Sequence, residues 1–130
     1  MDNNLHLLGI AKKAGLLAVG ADAVSIAART GKAKLIITAS DASGGALRRA
    51  RASAESGGVM RMAVPYTMLE LGIVTGRGSP GTVAVLDAGL AAGFMRGLAR
   101  IDPTRYLDAA EQLDAKARAL AERKKRRAEQ

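Results

Sequence analysis

The chain has 130 residues, 48% of them apolar and 25% charged, the proportions of one soluble globular domain with little room for a second core. It has no Cys and one His, His6, which excludes disulfide frameworks, Cys/His zinc sites, thiol catalysis and His-based triads. Lys and Arg number 20 against 12 Asp and Glu, a net charge of +8, and that balance asks for an anionic partner, nucleic acid first.

In chain order, apolar and breaker residues alternate at α/β spacing. Asn3 or Asn4 is expected to cap a first helix carrying Leu5, Leu8, Ile10 and Ala11, and Gly15 to end it. Leu16–Val19 reads as a short strand. Gly20 turns the chain into a helix over 21–30, closed by Thr30-Gly31. Ala33–Ala39 is a continuous apolar run, the pattern of a strand buried on both faces. Asp41 is expected to cap a helix over 42–56 whose first turn is weakened by Gly44-Gly45. Gly57-Gly58 breaks the chain before a strand over 59–64. Thr67-Met68-Leu69-Glu70 is a capping-box pattern opening a short helix, and Thr75–Gly81 is a loop. Thr82–Leu86 is a strand, followed by a helix over roughly 89–100. Asp102-Pro103 restarts the chain as N-cap and first helical residue of a last helix, reaching to about 125.

That order predicts an α/β fold in which a small mixed four-stranded sheet lies between helices. The core must be close-packed from small side chains. Ala supplies 27 residues and the aromatics number three, Tyr66, Phe94 and Tyr106. So few aromatics also argue against stacking platforms for single-stranded nucleic acid. The domain is drawn as 1–101, with 102–130 a C-terminal helix and basic tail. The last helix has an apolar seam at Tyr106, Ala110, Leu113, Ala117 and Leu120. The seam docks on the domain or, alternatively, forms a two-stranded coiled coil. Asp114 with Arg118 and Glu122 with Arg126 are supporting i,i+4 pairs. Residues 116–130 hold seven bases and two acids, a net of +5. No internal repeat is found.

No targeting segment is read. The start Met1-Asp2-Asn3-Asn4 is polar and acidic, and the longest apolar stretches are strand length. A cytoplasmic location without membrane contact is the expectation.

Few motifs suggest chemistry. Gly76-Arg77-Gly78-Ser79-Pro80-Gly81 matches the dinucleotide pattern G-x-G-x-x-G. Its context differs, because a fingerprint follows a strand and opens a helix, whereas this loop follows a helix and opens a strand. Pro80 also removes an amide donor. What remains is a loop with one cation, Arg77, and several backbone amides able to approach an RNA backbone. His6 has no partner His, and Asp41 at a strand end reads as a helix cap. No catalytic residue, metal site or cofactor follows, so a non-enzymatic protein is expected. The basic residues are more informative. Lys12-Lys13 end the first helix, Lys32 and Lys34 flank the start of the central strand, and Arg48, Arg49 and Arg51 share the third helix. Convergence of such cations on one edge would make a phosphate-binding footprint.

The order of motifs resembles a known family. Leu7-Leu8-Gly9-Ile10-Ala11-Lys12-Lys13-Ala14-Gly15, then Val19-Gly20, then the run from Gly31 to Ser43 are similar to the ribosomal protein L-seven-Ae / L-thirty-e family, in its small bacterial YlxQ-like branch. Val64-Pro65-Tyr66, Leu71-Gly72, Thr75-Gly76-Arg77 and Val83-Ala84-Val85 continue the match, which covers about residues 5–98. The resemblance implies a three-layer α-β-α sandwich. It also implies RNA binding through one end of that sandwich, typically at kink-turns. In the family's Gly-x-Asn-Glu-x-x-Lys pattern, Gly20 matches the Gly, Asp22 stands at the Asn, Ala23 at the Glu and Ile26 at the Lys. An ionised Asp accepts but does not donate, and Ala makes no polar contact. The expectation is therefore an RNA-facing surface without the family's base discrimination. Members of the branch also occur fused behind another small nucleic-acid-binding module, so Met1 can be an internal boundary of a longer product.

Two functions follow as expectations. The first is contact with structured, ribosomal-type RNA through Lys12, Lys13, Gly20, Asp22, Lys32, Lys34, Gly76, Arg77 and Gly78. The second is a protein-interaction adaptor that uses the C-terminal helix, by a partner or by self-association, with weak nucleic-acid binding.

Overall fold

The computed structural model describes residues 2–129. Its elements run α1 (Asn3–Lys13), β1 (Leu17–Val19), α2 (Ala21–Arg29), β2 (Leu35–Thr38), α3 (Gly44–Gly57), β3 (Arg61–Ala63), α4 (Met68–Thr75), β4 (Thr82–Val85), α5 (Ala88–Ile101) and α6 (Pro103–Ala128). They fall into two compact units, Met1–Asp87 and Ala88–Gln130. The second unit pairs α5 with α6, so the boundary drawn between 1–101 and 102–130 lies between two helices of one unit.

The four strands form one mixed sheet in the order β1-β4-β2-β3. β4 runs antiparallel to β1 and β2, while β3 lies parallel to β2. This is the sheet of an α-β-α sandwich, as the element order predicts. All four residues of β2 and of β4 are buried, which a continuous apolar run requires when both sheet faces are covered. Ala18, Ala84 and Ile36 share one register position and therefore one face. On that face they pack with Val24, Ala27 and Ala28 of α2 and Ala50 and Ala54 of α3. The alanines let backbones come close: a Cβ on Gly57 would lie 2.7 Å from the Ala28 carbonyl oxygen. α1 packs on α4 and on β1.

Helix ends follow local chemistry, with two corrections. Asp2, not Asn3 or Asn4, caps α1: its extended backbone lets the carboxylate accept from the Asn4 N–H at 2.7 Å. Asp41 does not cap α3. A turn at Ala39–Ala42 delays that helix, and Ser43 caps it by accepting from the Ala46 N–H. At the other end of α1, Gly15 takes φ +74°, its N–H donates to Lys12 and the Leu16 N–H donates to Ala11, closing a Schellman motif. The capping box at Thr67 and Glu70 is present, as is the Asp102 cap before Pro103.

In the second unit α5 and α6 pack along each other. Tyr106, Ala110 and Leu113 of the seam are buried, and the seam opens to solvent by Leu120, 38% exposed. Asp114 pairs with Arg96 on α5, not with Arg118. Among the described residues no helix is long and apolar enough to cross a membrane.

Candidate nucleic-acid interface

Strand direction decides which loops meet. β1, β2 and β3 point the same way and β4 points back. The ends of the first three strands therefore share one end of the sheet with the start of β4. Backbone hydrogen bonds tie the connections there. The Gly20 N–H donates to the Thr82 carbonyl at 3.0 Å, Ala39 to Gly81 at 2.9 Å and Ser40 to Tyr66 at 2.8 Å. Three helices, α2, α3 and α4, begin at this loop end; Ser43 caps α3 and the Thr67–Glu70 box caps α4, whereas α2 has no side-chain cap. Asp41 belongs to the same arrangement. Its carboxylate accepts from the Met68 N–H at 2.8 Å, 27 residues away, and holds the start of α4.

Five of the sequence-selected residues lie on these connections. Gly20 opens α2 at φ +92°, a conformation only glycine adopts readily, and offers no side-chain cap. Asp22, in the first turn of α2, is exposed and accepts a hydrogen bond from Arg49 of α3 at 2.6 Å. Gly76 ends α4 in the left-handed region at φ +69° and Gly78 follows at φ +44°, with exposed Arg77 between them. The loop then folds back along α4. A Cβ on Gly72 would lie 1.7 Å from the Gly78 carbonyl oxygen, and one on Gly81 would press on Ala46 and Ala42. The glycine spacing that imitates a dinucleotide fingerprint thus has a structural origin: Gly76 stops the helix, Gly76 and Gly78 take positive φ, and Gly81 leaves room for the Ala46 side chain.

The four lysines lie elsewhere. Lys12 and Lys13 end α1, and Lys32 and Lys34 precede β2, at the opposite end of the same sheet. The nine candidates therefore form two groups and not one edge. Conversely, Arg48 and Arg49 stand in the first turns of α3, which start at the loop end. The guanidinium of Arg48 folds back over Gly44, where an added Cβ would be 3.4 Å from its Nη1. The sequence marks these arginines as basic, but their place depends on a strand direction it does not print. Ile26, at the position the resemblance gives to a lysine, is 53% exposed and apolar.

Tyr66 packs beneath the loops. Its hydroxyl is pushed well above the ordinary phenol range, first by burial, then by the hydrogen bond and charge of Asp2, with Glu70 adding and Asn4 opposing.

No family model and no curated protein matches this sequence. Solved structures do. A protein of unknown function from Bacillus halodurans superposes with a TM-score of 0.66 at 26% identity, over 75% of this chain and 97% of that one. The Giardia lamblia 15.5 kDa RNA-binding protein superposes with a TM-score of 0.58 at 17% identity, over 76% of this chain and 84% of that one. The Giardia likeness is one of fold.

Proposed function

We propose that this chain is a non-enzymatic, cytoplasmic RNA-binding protein that holds structured, ribosomal-type RNA at the loop end of its sandwich. The observation that carries this reading is the gathering, in a fold shared with an RNA-binding protein, of the uncapped start of α2, glycine-permitted backbone and the arginines Arg48, Arg49 and Arg77 at one end. The start of α2, which has no side-chain cap, suits a phosphate oxygen, a contact that positions a protein without reading sequence. Asp41, the carboxylate at a strand end that a catalytic reading would use, is committed to α4. Asp22 is engaged by Arg49, and Ala23 and Ile26 stand at two polar positions of the kink-turn pattern. Discrimination of kink-turns from other structured RNA is accordingly weak. The Asp22–Arg49 pair is exposed on both sides and is worth about 0–1 kcal/mol. Arg49 is thus free to exchange Asp22 for a phosphate.

The test is a titration of the full chain against a kink-turn RNA, an RNA duplex of equal length and a DNA duplex, at two salt concentrations. RNA-selective binding that persists at about 150 mM salt is expected. Equal binding of all three ligands that vanishes with salt would overturn the reading. Arg77→Ala should weaken RNA binding and lower the salt slope by about one. An unchanged slope would remove Arg77 from the interface.

One observation favours a second reading, a protein-interaction adaptor. In the second unit Ile101, Leu107 and Leu120 are 68%, 47% and 38% exposed. Tyr106 and Leu113 of the seam are buried within α5–α6, so a partner would meet Leu107 and Leu120 instead. Light scattering of Leu107→Lys/Leu120→Lys separates the readings: loss of self-association with RNA binding intact favours the adaptor.

A further inference from the structure

The first unit sorts its positive charge between two ends. Opposite the loops, the starts of β1 and β2 meet the end of β4: the Leu86 N–H donates to Leu16 at 2.9 Å and the Lys34 N–H to Val85 at 2.8 Å. Lys12 and Lys13 close α1 just before β1, and Arg29 closes α2. The turn from α2 into β2 is pinned by the N–H groups of Lys32 and Ala33, both donating to the Ala27 carbonyl. Five cations are thereby brought to one end. Lys13, Arg29 and Lys32 are exposed, and Lys12 and Lys34 half-exposed. Among the described residues none of the five forms an ion pair. The acids at this end are Asp87, which follows Leu86, and Glu55 in the last turn of α3.

Lys12, Lys13 and Arg29 have a local reason to be there, since last-turn cations complement the helix dipole. Lys32 and Lys34 do not, because both lie outside any helix. Like charges gathered at one end repel one another, and a polyanion relieves that repulsion. The chemistry of the two ends also differs. The loop end carries Arg48, Arg49 and Arg77, whose planar forks suit bidentate contacts. The opposite end carries mainly lysines, which are point charges suited to sequence-blind phosphate contact.

We propose that this lysine end is a second RNA-backbone site, so that one molecule holds two RNA segments at once. The ligand class rests on the RNA-binding reading above; the second site rests on the lysine cluster. The two central strands between the ends are each four residues long, which spaces the two segments by about 13 Å.

The experiment mixes the full chain with one short RNA hairpin in two batches, one carrying a donor dye and the other an acceptor. Energy transfer between hairpins reports bridging, and anisotropy of one labelled hairpin reports single-site binding. Wild type should give transfer that peaks and then falls as protein exceeds RNA. Lys12→Gln/Lys13→Gln/Lys32→Gln/Lys34→Gln should lose at least about fivefold of the transfer while single-hairpin affinity stays within about twofold. The four Lys→Arg substitutions should restore it. Lys13→Gln/Lys32→Gln, which changes only exposed side chains, should lose part of the transfer and serves if the fourfold variant unfolds. Transfer that survives the lysine substitutions, or that is lost on neutralising Arg123–Arg127 instead, overturns the second site. Absence of any hairpin binding by wild type would overturn the RNA-binding reading itself, and the anisotropy arm tells the two failures apart.

Discussion

Gly72 is a residue whose identity is set by a neighbour. Its missing Cβ is the space through which the Gly78 carbonyl passes. The obstacle is backbone, which cannot rotate aside, so Gly72→Ala should cost about 3 kcal/mol or more in urea unfolding and displace the Arg77 loop. An unchanged midpoint would mean that the loop does not rest on α4. Tyr66 illustrates a different residue-scale effect. Burial raises its pKa, and burial also raises that of Tyr106, where Asp102 adds and Arg105 opposes. A phenol held protonated in the native state, but free to ionise near pH 10 when unfolded, gives stability that is fully present below pH 10. That stability falls as pH rises, because the unfolded chain loses the proton first. Absorbance at 295 nm should show no tyrosinate until the fold opens, and Tyr66→Phe should flatten the alkaline loss of stability.

Among the elements, the sequence was most legible where a signal was local. Asp102-Pro103 fixes the start of α6, Thr67 and Glu70 close a capping box three residues apart, and Gly15 stops α1 by taking a positive φ. Asp41 was misread because its true partner, the Met68 N–H, is 27 residues away and arrives only through the sheet. At α1, residues 2–4 can all cap, and backbone conformation chose Asp2. The seam of α6 was read correctly as a stripe, but its depth was not visible. Leu113 is 3% exposed and Leu120 38%. Leu113→Ala should therefore cost about 2–5 kcal/mol and Leu120→Ala about 0.5 kcal/mol or less, measured by denaturant unfolding. Equal costs would mean that the seam is docked along its whole length.

At the scale of the molecule, the charge surplus lies at the lysine end and in the tail, while at the loop end Arg48, Arg49 and Arg77 stand among Asp22, Asp41 and Glu70. Composition reports only the sum. The tail run Arg123–Arg127 is exposed, on the last turns of α6, which are polar on every side. Neutralising it to Gln should lower affinity for RNA and DNA duplexes alike and reduce the salt slope for both, since the contact is with phosphate alone. A loss confined to RNA would show that the tail takes part in recognition.

The sequence by itself determined the element order, the two-face burial of β2, the alanine-built core and the surplus of cations. Each of these is a property of composition or short-range periodicity. Only the tertiary structure decided that the nine candidate residues divide between opposite ends of the sheet, that Asp22 meets Arg49, and that Asp41 serves α4. These depend on the antiparallel insertion of β4 between β1 and β2. Strand direction is a long-range pairing choice, fixed by how buried faces close on one another and not by the residues on either side of a turn.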